Sequence, residues 1–338
     1  MKLRFSIVAG LALLAVPASA CDLCAIFAAL ETQETQAGWY VGLAEQYSSF
    51  ETLLEDGEEV ANEADQSLTS SITQVVIGYQ FDRRFGIQVN APWIDRSFDR
   101  VHDGEAESGS ETGIGDVTLL GHFRAFEWFE NDRGFVFNLL GGVKLPTGDS
   151  DRLAEEAEEH HGEEEAEHEH AGLIAAPRGH EGEEHGEEIP AGVHGHDIAL
   201  GSGSTDGLVG FSGFASRGRW FTGFEVQYAL RTEGDFDYRI GNDLTWRIAP
   251  GYFLWLGHDR SLALALEAFG ENKEKDELEG EEVGDTGLDA IYLGPSLRYS
   301  TTGKFSGQLT VDLPVEQETT ELQIVPDYRV RLGALWRF

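Results

Sequence analysis

The sequence has few basic residues, few cysteines and no long apolar run in its mature part. Only 24 of its 338 residues are lysine or arginine, against 61 aspartate or glutamate, so the net charge is −37. A chain of this charge is repelled by polyphosphate, which excludes a nucleic-acid partner. Its 2 cysteines cannot build a disulfide framework. No later window holds the roughly 18 uninterrupted apolar residues of a transmembrane helix, so the mature protein is either soluble or a membrane barrel.

The remaining composition favours a folded β protein. Hydrophobic residues make up 41% of the chain, which also contains 20 Phe, 9 Tyr, 7 Trp and 41 Gly. This content is too high for a disordered acidic protein, so a substantial folded body is expected. The abundance of aromatic side chains favours strands over helices.

Residues 1–20 have the three parts of a secretory signal peptide. Lys2 and Arg4 form the charged start, residues 7–16 form the apolar run, and Ala18-Ser19-Ala20 is a small-residue cleavage site. The apolar run is too short to span a membrane, so we expect removal of this segment. The mature protein then lies outside the cytoplasm.

Residues 21–37 form a short N-terminal segment that opens with the thiol pair Cys21 and Cys24. An oxidising periplasm favours a disulfide between them, while a two-thiolate metal site and lipidation of Cys21 are the alternatives. Ala18 stands where a lipidation signal usually has leucine, and no histidine follows Cys24 as haem attachment requires. Apolar residues at helical spacing predict a short helix over residues 22–36.

From Trp39 onward the chain repeats segments of about ten alternating residues, which is the pattern of strands with one apolar and one polar face. We predict twelve strands, centred near Val41, Val75, Val89, Leu119, Leu139, Val209, Val226, Ile248, Leu264, Leu293, Leu309 and Val330. An even number of strands suits a bacterial barrel. The predicted fold is therefore an all-β, up-and-down antiparallel transmembrane β-barrel of about twelve strands, covering residues 38–338.

The last predicted strand shows the alternation most clearly. One parity carries the apolar residues Ile324, Tyr328, Val330, Leu332, Ala334, Trp336 and Phe338, and the other carries Arg329, Arg331 and Arg337. Apolar residues facing lipid and arginines facing a wet lumen explain this division.

The connections between the strands alternate between short and long. Five are tight, and six are long and acidic: 51–67, 95–112, 150–204, 231–243, 271–289 and 316–327. The six long connections together carry a net charge of −38, whereas the whole chain carries −37. A secreted β-sandwich, the main alternative, has no reason to segregate charge in this way. A barrel does, because up-and-down order places the long connections outside the cell and the short turns in the periplasm.

The inward parity supplies a mixed-charge lumen. Its candidate residues are His122, Arg124, Lys144, Glu225, Gln227, Arg247, Glu267, Arg298, Asp312, Arg329, Arg331 and Arg337. Twelve strands enclose more space than a side-chain-filled eight-stranded barrel and less than a porin of sixteen to eighteen. The sequence therefore predicts a pore that is narrow, with conduction and salt-bridged filling both open as alternatives.

The connection 150–204 is rich in histidine and glutamate. It holds eight of the 11 histidines, namely His160, His161, His168, His170, His180, His185, His194 and His196. Neutral imidazole is a good ligand for Zn²⁺, Cu²⁺ or Ni²⁺, and the surrounding carboxylates attract cations. We therefore predict a divalent-metal-binding outer loop, with a merely solvated acidic insertion as the alternative. The ligands do not distinguish among the three metals.

Three strings carry a resemblance to a known family. They are Gly113-Ile114-Gly115-Asp116, Val143-Lys144-Leu145-Pro146-Thr147-Gly148-Asp149 and Gly201-Ser202-Gly203-Ser204-Thr205-Asp206. In these strings the chain resembles the outer-membrane β-barrel family named for the MetA pathway of phenol degradation. The resemblance implies a transporter barrel from about Trp39 to Phe338. The histidine-rich insertion departs from the simplest family pattern, which puts an aromatic substrate in doubt.

Two functions follow from these patterns. The first is a channel or transport component for small solutes in the outer membrane of a Gram-negative bacterium, with a metal-binding outer loop. The alternative is a passive, porin-like pore for small organic, including aromatic, compounds, in which the loop only buffers metal. Outer-membrane lipid, divalent cations and a small-molecule solute are the expected partners.

An enzyme is not expected. A membrane-embedded hydrolase would need a nucleophile beside a histidine, and the sequence places no such set around His122. An organic cofactor is not expected either, because no Gly-Lys-Ser/Thr follows the glycine-rich strings.

Overall fold

The computed structural model describes residues 37–102, 104–158, 190–301 and 304–338. The predicted signal peptide, the thiol pair Cys21 and Cys24, and the predicted helix over 22–36 lie outside these residues. So do six of the eight predicted metal ligands, the histidines at positions 160, 161, 168, 170, 180 and 185.

Twelve long strands form the wall of a closed antiparallel barrel, as the sequence predicts. They are β1 (Gly38–Glu55), β3 (Ser67–Gln80), β4 (Phe85–His102), β6 (Val117–Glu130), β7 (Arg133–Leu145), β8 (Asp206–Arg217), β9 (Trp220–Leu230), β11 (Asp243–Leu256), β12 (Arg260–Lys273), β15 (Leu288–Thr301), β16 (Phe305–Thr319) and β17 (Leu322–Arg337). Each strand pairs with its neighbour in the chain, and β17 closes the barrel by pairing with β1 from Tyr40↔Arg337 to Glu55↔Leu322. All twelve predicted centres lie within these strands.

Five further strands, shorter than those of the wall, lie at the end of the barrel that has the long connections. They are β2 (Glu58–Val60), β5 (Glu105–Ile114), β10 (Tyr238–Arg239), β13 (Glu277–Leu278) and β14 (Glu281–Glu282). β5 extends the sheet beyond β4, whereas β10, β13 and β14 form a separate three-stranded sheet. Much of the predicted loop region is therefore strand.

The five predicted short connections lie at the opposite end, at residues 81–84, 131–132, 218–219 and 257–259 and between the end of β15 and the start of β16. At the other end the prediction of long loops is partly wrong. β16 continues to Thr319 and β17 begins at Leu322, so the connection predicted over 316–327 is a two-residue turn. Strands of up to 18 residues are much longer than the 9–11 that span a bilayer, so the wall projects beyond the membrane on this side.

The outer face of the wall is apolar and ends in an aromatic rim at the short-turn end. Trp39, Tyr79, Phe81 and Phe85 contact one another in sequence at ring-centroid distances of 5.0–5.4 Å. Exposed leucine, valine and isoleucine side chains, such as Leu266 at 52%, cover the wall above the rim. This is the surface of a barrel embedded in lipid.

The alternation in β17 breaks at Asp327, so one predicted outward residue faces inward. Ser49 pairs with Tyr328 but Phe50 pairs with Pro326, which leaves Asp327 as a bulge. Its carboxylate accepts hydrogen bonds from Glu51 N at 2.7 Å and Thr52 Oγ1 at 2.6 Å. A bulge shifts the side-chain parity by one residue, and Ile324 is therefore buried inside rather than exposed to lipid.

The two described arms of the insertion 146–205 fold into the mouth of the barrel. Residues 153–158 are helical in the outgoing arm, and a short helix Gly195–Ile198 lies in the returning arm. Ile198 packs with wall residues near the mouth, and Leu200 packs deeper, against Ile72 and Ile94. Among the residues that the structure describes, no helix is long and apolar enough to cross a membrane.

Candidate functional site in the barrel lumen

The predicted lumen residues all lie on the inner face of the wall. Arg124, Lys144, Glu225, Gln227, Arg247, Glu267, Asp312, Arg329 and Arg331 are buried, and His122, Arg298 and Arg337 are half-buried. They form three layers along the barrel axis: one near the short turns, one at mid-height and one at the mouth.

The mid-height layer is a network of arginines around one carboxylate. Glu267 contacts Arg247 at 3.1 Å, Arg331 at 2.7 Å and Arg298 at 3.3 Å. Arg331 also forms two hydrogen bonds with Asp312, at 2.6 and 2.9 Å. Because buried charges are stable only when they are paired, this network fixes the side chains that narrow the lumen.

The layer near the short turns is less charged. His122 Nε2 lies 2.7 Å from Gln80 Oε1, and Arg124 hydrogen-bonds Glu127 at 2.9 Å. Asn138 donates to Ser212 Oγ at 3.3 Å. Neutral amides and hydroxyls therefore line the periplasmic end together with Arg124 and Arg337.

The layer at the mouth is built from the three strings that carry the family resemblance. Lys144 Nζ is buried between Asp116, at 2.8 Å, and Asp206, at 2.7 Å. Asp116 also accepts hydrogen bonds from the backbone N–H groups of Thr147, Gly148 and Ser202, at 3.0–3.1 Å. Asp116, the acidic end of the first string, thus ties the start of the insertion to its end.

Sequence reasoning missed several inner residues, because it ended the strands too early. Arg96 and Arg100 lie on the upper part of β4, in the stretch predicted as an outer loop, and both are buried. Arg231 and Lys273 were likewise assigned to loops, and Arg231 bridges Asp206 and Asp243 at 2.9 and 2.6 Å. The signal was present for Arg96 and Arg100, since they continue the inward parity of β4.

A cavity of about 130 Å³ lies beneath the returning arm of the insertion. Its charged lining comprises the cations Arg96, Lys144, Arg231, Lys273 and Arg329, with His196, and the carboxylates Asp116, Asp197 and Asp276. Its apolar lining includes Phe50, Leu68, Leu200, Leu288 and Ile324. The cavity is therefore amphipathic, with more basic than acidic side chains in its wall.

Two of the predicted metal ligands lie in the returning arm, above this cavity. The rings of His194 and His196 are stacked, with centroids 5.6 Å apart and an interplanar angle of 4°. His194 Nε2 lies 3.0 Å from Asp285 Oδ2, and His196 Nδ1 lies 2.9 Å from Glu156 Oε1. The two imidazoles therefore join the returning arm to the outgoing arm and to the connection between β12 and β15.

These carboxylates stabilise the protonated imidazoles. Burial alone would lower the pKa of His194, but the hydrogen bond and charge of Asp285 outweigh it and raise the pKa to about 8. Burial is likewise outweighed at His196, where the charges of Asp197 and Glu156 raise the pKa to about 10. A protonated imidazole has no free lone pair for a metal, so in this arrangement both histidines act as cations. Within the described ranges, no group of three or more His, Cys, Asp or Glu side chains is arranged to hold a metal ion.

Comparison with known proteins agrees with the resemblance seen in the sequence. The family model described as "Putative MetA-pathway of phenol degradation" matches residues 57–157. This range includes the first two of the three strings, so the resemblance is confirmed there. No curated protein matches the sequence.

Solved structures match the fold over most of the chain. An outer membrane channel from Pseudomonas putida F1 superposes with a TM-score of 0.61 at 14% identity, covering 91% of this chain and 98% of the other. The β domain of the Bordetella autotransporter BrkA matches with a TM-score of 0.42 at 10% identity, covering 90% and 100%. At 14% identity, the match to the Pseudomonas putida F1 structure shows that the two chains share a fold.

The closed barrel and its apolar outer face establish where the protein lies in the cell. Only helices and closed barrels satisfy their backbone hydrogen bonds in a bilayer, and barrels of this form occupy the outer membrane of Gram-negative bacteria. The chain is an outer-membrane β-barrel. Its periplasmic end is the one with the short turns, and its acidic connections lie outside the cell.

Proposed function

We propose that the protein is a narrow, passive outer-membrane channel for small organic solutes that combine an apolar body with a polar or anionic group. The observation that carries this proposal is the amphipathic cavity at the mouth. Five lysines and arginines but three aspartates line it, together with leucine, isoleucine and phenylalanine side chains. A carboxylate or phenolate on a small ring would find both a cation and an apolar wall.

The layered lumen supports selective rather than general permeation. The Glu267 network narrows the barrel at mid-height, and its arginines offer successive cations to a passing anion. The match to the Pseudomonas putida F1 channel, whose name describes a channel, is consistent with this proposal. A wide, water-filled pore does not fit so many buried charge pairs in a twelve-stranded barrel.

Single-channel recording of the refolded mature protein tests the proposal. We record currents in planar bilayers with a chloride salt and with a benzoate salt. We expect small, steady currents in which anions permeate better than cations. Arg96→Met should lower the preference for benzoate, because Arg96 is a cation of the cavity wall. Arg219→Met is the matched control, since Arg219 lies exposed at a periplasmic turn. Absence of conductance in every salt would contradict the channel.

We also propose that the histidine- and glutamate-rich insertion binds divalent transition metals near the mouth. Six of its histidines lie between positions 160 and 185, among glutamate runs, and their composition supports this second activity. His194 and His196 are assigned instead to the ion pairs described above. The loop would then raise the local metal concentration or modulate the channel.

Zinc titration calorimetry tests the second activity. The mature protein should bind Zn²⁺, and a variant with glutamine at positions 160, 161, 168, 170, 180 and 185 should not. This variant keeps every glutamate, so unchanged binding in it would assign the metal to the carboxylates and refute the role of histidine. Conductance that zinc alters only in the protein with histidines would support metal control of the pore. Conductance indifferent to zinc would leave the loop as a metal buffer.

A further inference from the structure

The arginines around Glu267 are not held equally by carboxylates. Arg331 forms two hydrogen bonds with Asp312, at 2.6 and 2.9 Å, and also contacts Glu267 at 2.7 Å. Arg298 contacts Glu267 through Nη2 at 3.3 Å, and among the described residues this is its one carboxylate contact. The charge of Arg298 is therefore the less completely compensated of the two.

Arg298 also keeps hydrogen-bond donors that no described residue accepts. Its Nε is buried and has no hydrogen-bond partner within the described ranges. The contact of Nη2 with Glu267 is long, and Gln308 Nε2 donates to the same oxygen at 3.4 Å. A buried donor without a protein acceptor indicates that a water molecule or an ion accepts its hydrogen bond.

The wall that faces the end of the Arg298 side chain is open. A Cβ atom built at Gly223, on the inner face of β9, would lie 3.4 Å from Arg298 Nη1. Apart from its neighbours in the chain, no other atom of the described residues would lie within 4 Å of it. Ala249 and Ala263, on the intervening strands β11 and β12, are also small. There is therefore room beside the guanidinium group.

An aromatic cluster supports the guanidinium group from one side. Arg298 Cζ lies 5.8 Å from the centroid of the Phe221 ring. Phe221 stacks on Phe214 at a centroid distance of 5.6 Å and contacts Phe253 at 4.8 Å. The rings hold the cation by cation–π attraction and keep water from that side, which strengthens the attraction between Arg298 and an anion.

Arg298 is the most accessible arginine of the Glu267 network. Its side chain is 19% exposed, compared with 5% for Arg247 and 8% for Arg331. It pairs with Ala263, four residues closer to the short turns than Glu267, and it does not line the cavity at the mouth. An anion that leaves the mouth cavity toward the periplasm would therefore meet Arg298 next.

We propose that Arg298 forms an anion-binding subsite in the lumen and sets the preference of the channel for anions. Nε and Nη1 donate to a small carboxylate that occupies the space beside Gly223. A planar guanidinium group matches a carboxylate, and an arginine that is loosely held by the protein binds the anion and releases it again. The inference rests on the proposed function as a small-solute channel, to which it adds the residue that determines selectivity.

Titration of the channel current with benzoate tests the subsite. In planar bilayers, the current of the refolded mature protein should saturate as the concentration of potassium benzoate is raised. Arg298→Gln should raise the half-saturating concentration about tenfold, as expected for the loss of a hydrogen bond to a charged group. Glu267 keeps Arg247 and Arg331 in this variant, so the barrel should still fold, which heat-modifiability on gels checks.

Gly223→Ala tests the position of the anion without a change of charge. The added methyl group would be in ordinary contact with Arg298 Nη1 and would occupy the proposed space, so the half-saturating concentration should rise several-fold. Gly141→Ala is the matched control, because it adds a methyl group to the lipid-facing side of β7, and it should have no effect.

Two results would overturn the subsite. An unchanged half-saturating concentration in Arg298→Gln would show that this arginine does not bind the permeating anion. If Arg298→Gln has the expected effect but Gly223→Ala behaves like Gly141→Ala, Arg298 acts only as a distant charge, and no anion is bound beside Gly223.

Chloride binding measured without a current separates the subsite from the channel. The chlorine NMR line of a chloride solution broadens when the ion exchanges with a protein site. This broadening should decrease in Arg298→Gln and in Gly223→Ala but not in Gly141→Ala. If this pattern is found and the protein carries no current, the subsite stands and the channel is refuted. Currents that saturate equally with benzoate in all three variants would instead leave the channel and refute the subsite.

Discussion

Lys144 is the residue whose removal should destabilise the barrel most at the mouth. Its ammonium group compensates two buried carboxylates, Asp116 and Asp206, whose side chains are fully buried. Removing one partner of a buried charge pair leaves the others uncompensated. The three family strings thus have a structural meaning at the residue scale, because their acidic and basic residues neutralise one another.

We predict that Lys144→Met lowers the free energy of unfolding by about 3–5 kcal/mol. Urea unfolding of the refolded barrel, followed by tryptophan fluorescence, measures the change. Lys304→Met is the control, since Lys304 is exposed at a periplasmic turn and its loss should change stability by less than about 0.5 kcal/mol. Equal effects of the two substitutions would contradict a buried ion network.

The ion pairs of His194 and His196 should make the stability of the mouth depend on pH. Both folded-state pKa values, about 8 and about 10, lie above the ordinary 6.5. The stabilisation is therefore complete below about pH 6.5, and it is lost as pH rises through 8 and then 10. We predict a falling thermal unfolding midpoint over that range. Asp285→Asn should remove the step near pH 8, and a midpoint independent of pH would contradict the ion pairs.

At the scale of elements, the insertion between β7 and β8 has two anchored arms. Leu153 and Ile198 are fully buried, and Gln66 accepts a hydrogen bond from Gly192 N at 3.0 Å. Burial of apolar residues and satisfied backbone groups fix both arms in the mouth. The central segment 159–189 is therefore separable in principle from the part that closes the barrel.

We predict that replacing residues 159–189 by a short Gly-Ser linker leaves barrel stability nearly unchanged. Deleting 152–200 should instead destabilise the barrel, because that deletion removes the buried Leu153, Val193, Ile198 and Leu200. Heat-modifiability on gels, which distinguishes folded from unfolded barrels, compares the two. A similar loss in both variants would show that the central segment also supports the fold.

The insertion and the strand ends also show which parts of a strand the sequence alternation predicts correctly. The alternation of apolar and polar residues predicted every wall strand, because successive side chains of a strand face the lipid and the lumen in turn. It failed at Ile324 and at the ends of β4 and β16. Bulges shift parity at Ile324. Above the membrane the outer face of a strand meets water, so the inward parity of Arg96 and Arg100 continues along β4 without an apolar outer face to mark it as a strand.

At the scale of the whole molecule, the two ends of the barrel differ in chemistry. The periplasmic end carries an aromatic rim and short turns, and the outer end carries nearly all of the negative charge. Aromatic side chains prefer the membrane interface, whereas clustered carboxylates require water and cations. This polarity fixes the orientation and depth of the barrel.

We predict that tryptophan fluorescence reports the depth of the aromatic rim in the membrane. Five of the 7 tryptophans, at positions 39, 128, 220, 255 and 336, are exposed near the short turns. Lipids brominated near the headgroup should therefore quench the emission more than lipids brominated near the bilayer centre. The reverse order would place the aromatic rim inside the membrane and contradict the assigned depth.

The sequence by itself determined the barrel, its twelve strands and the inner position of the predicted lumen residues, and it predicts the orientation in the membrane. Periodicity and charge segregation are set by contact with lipid and water, which act on each residue locally. Only the tertiary structure decided the ion pairs of Lys144 and Glu267, the cavity beneath the insertion and the position of Arg298 opposite Gly223. These features depend on distances between residues far apart in the chain, and on bulges whose register shifts no alternation pattern records.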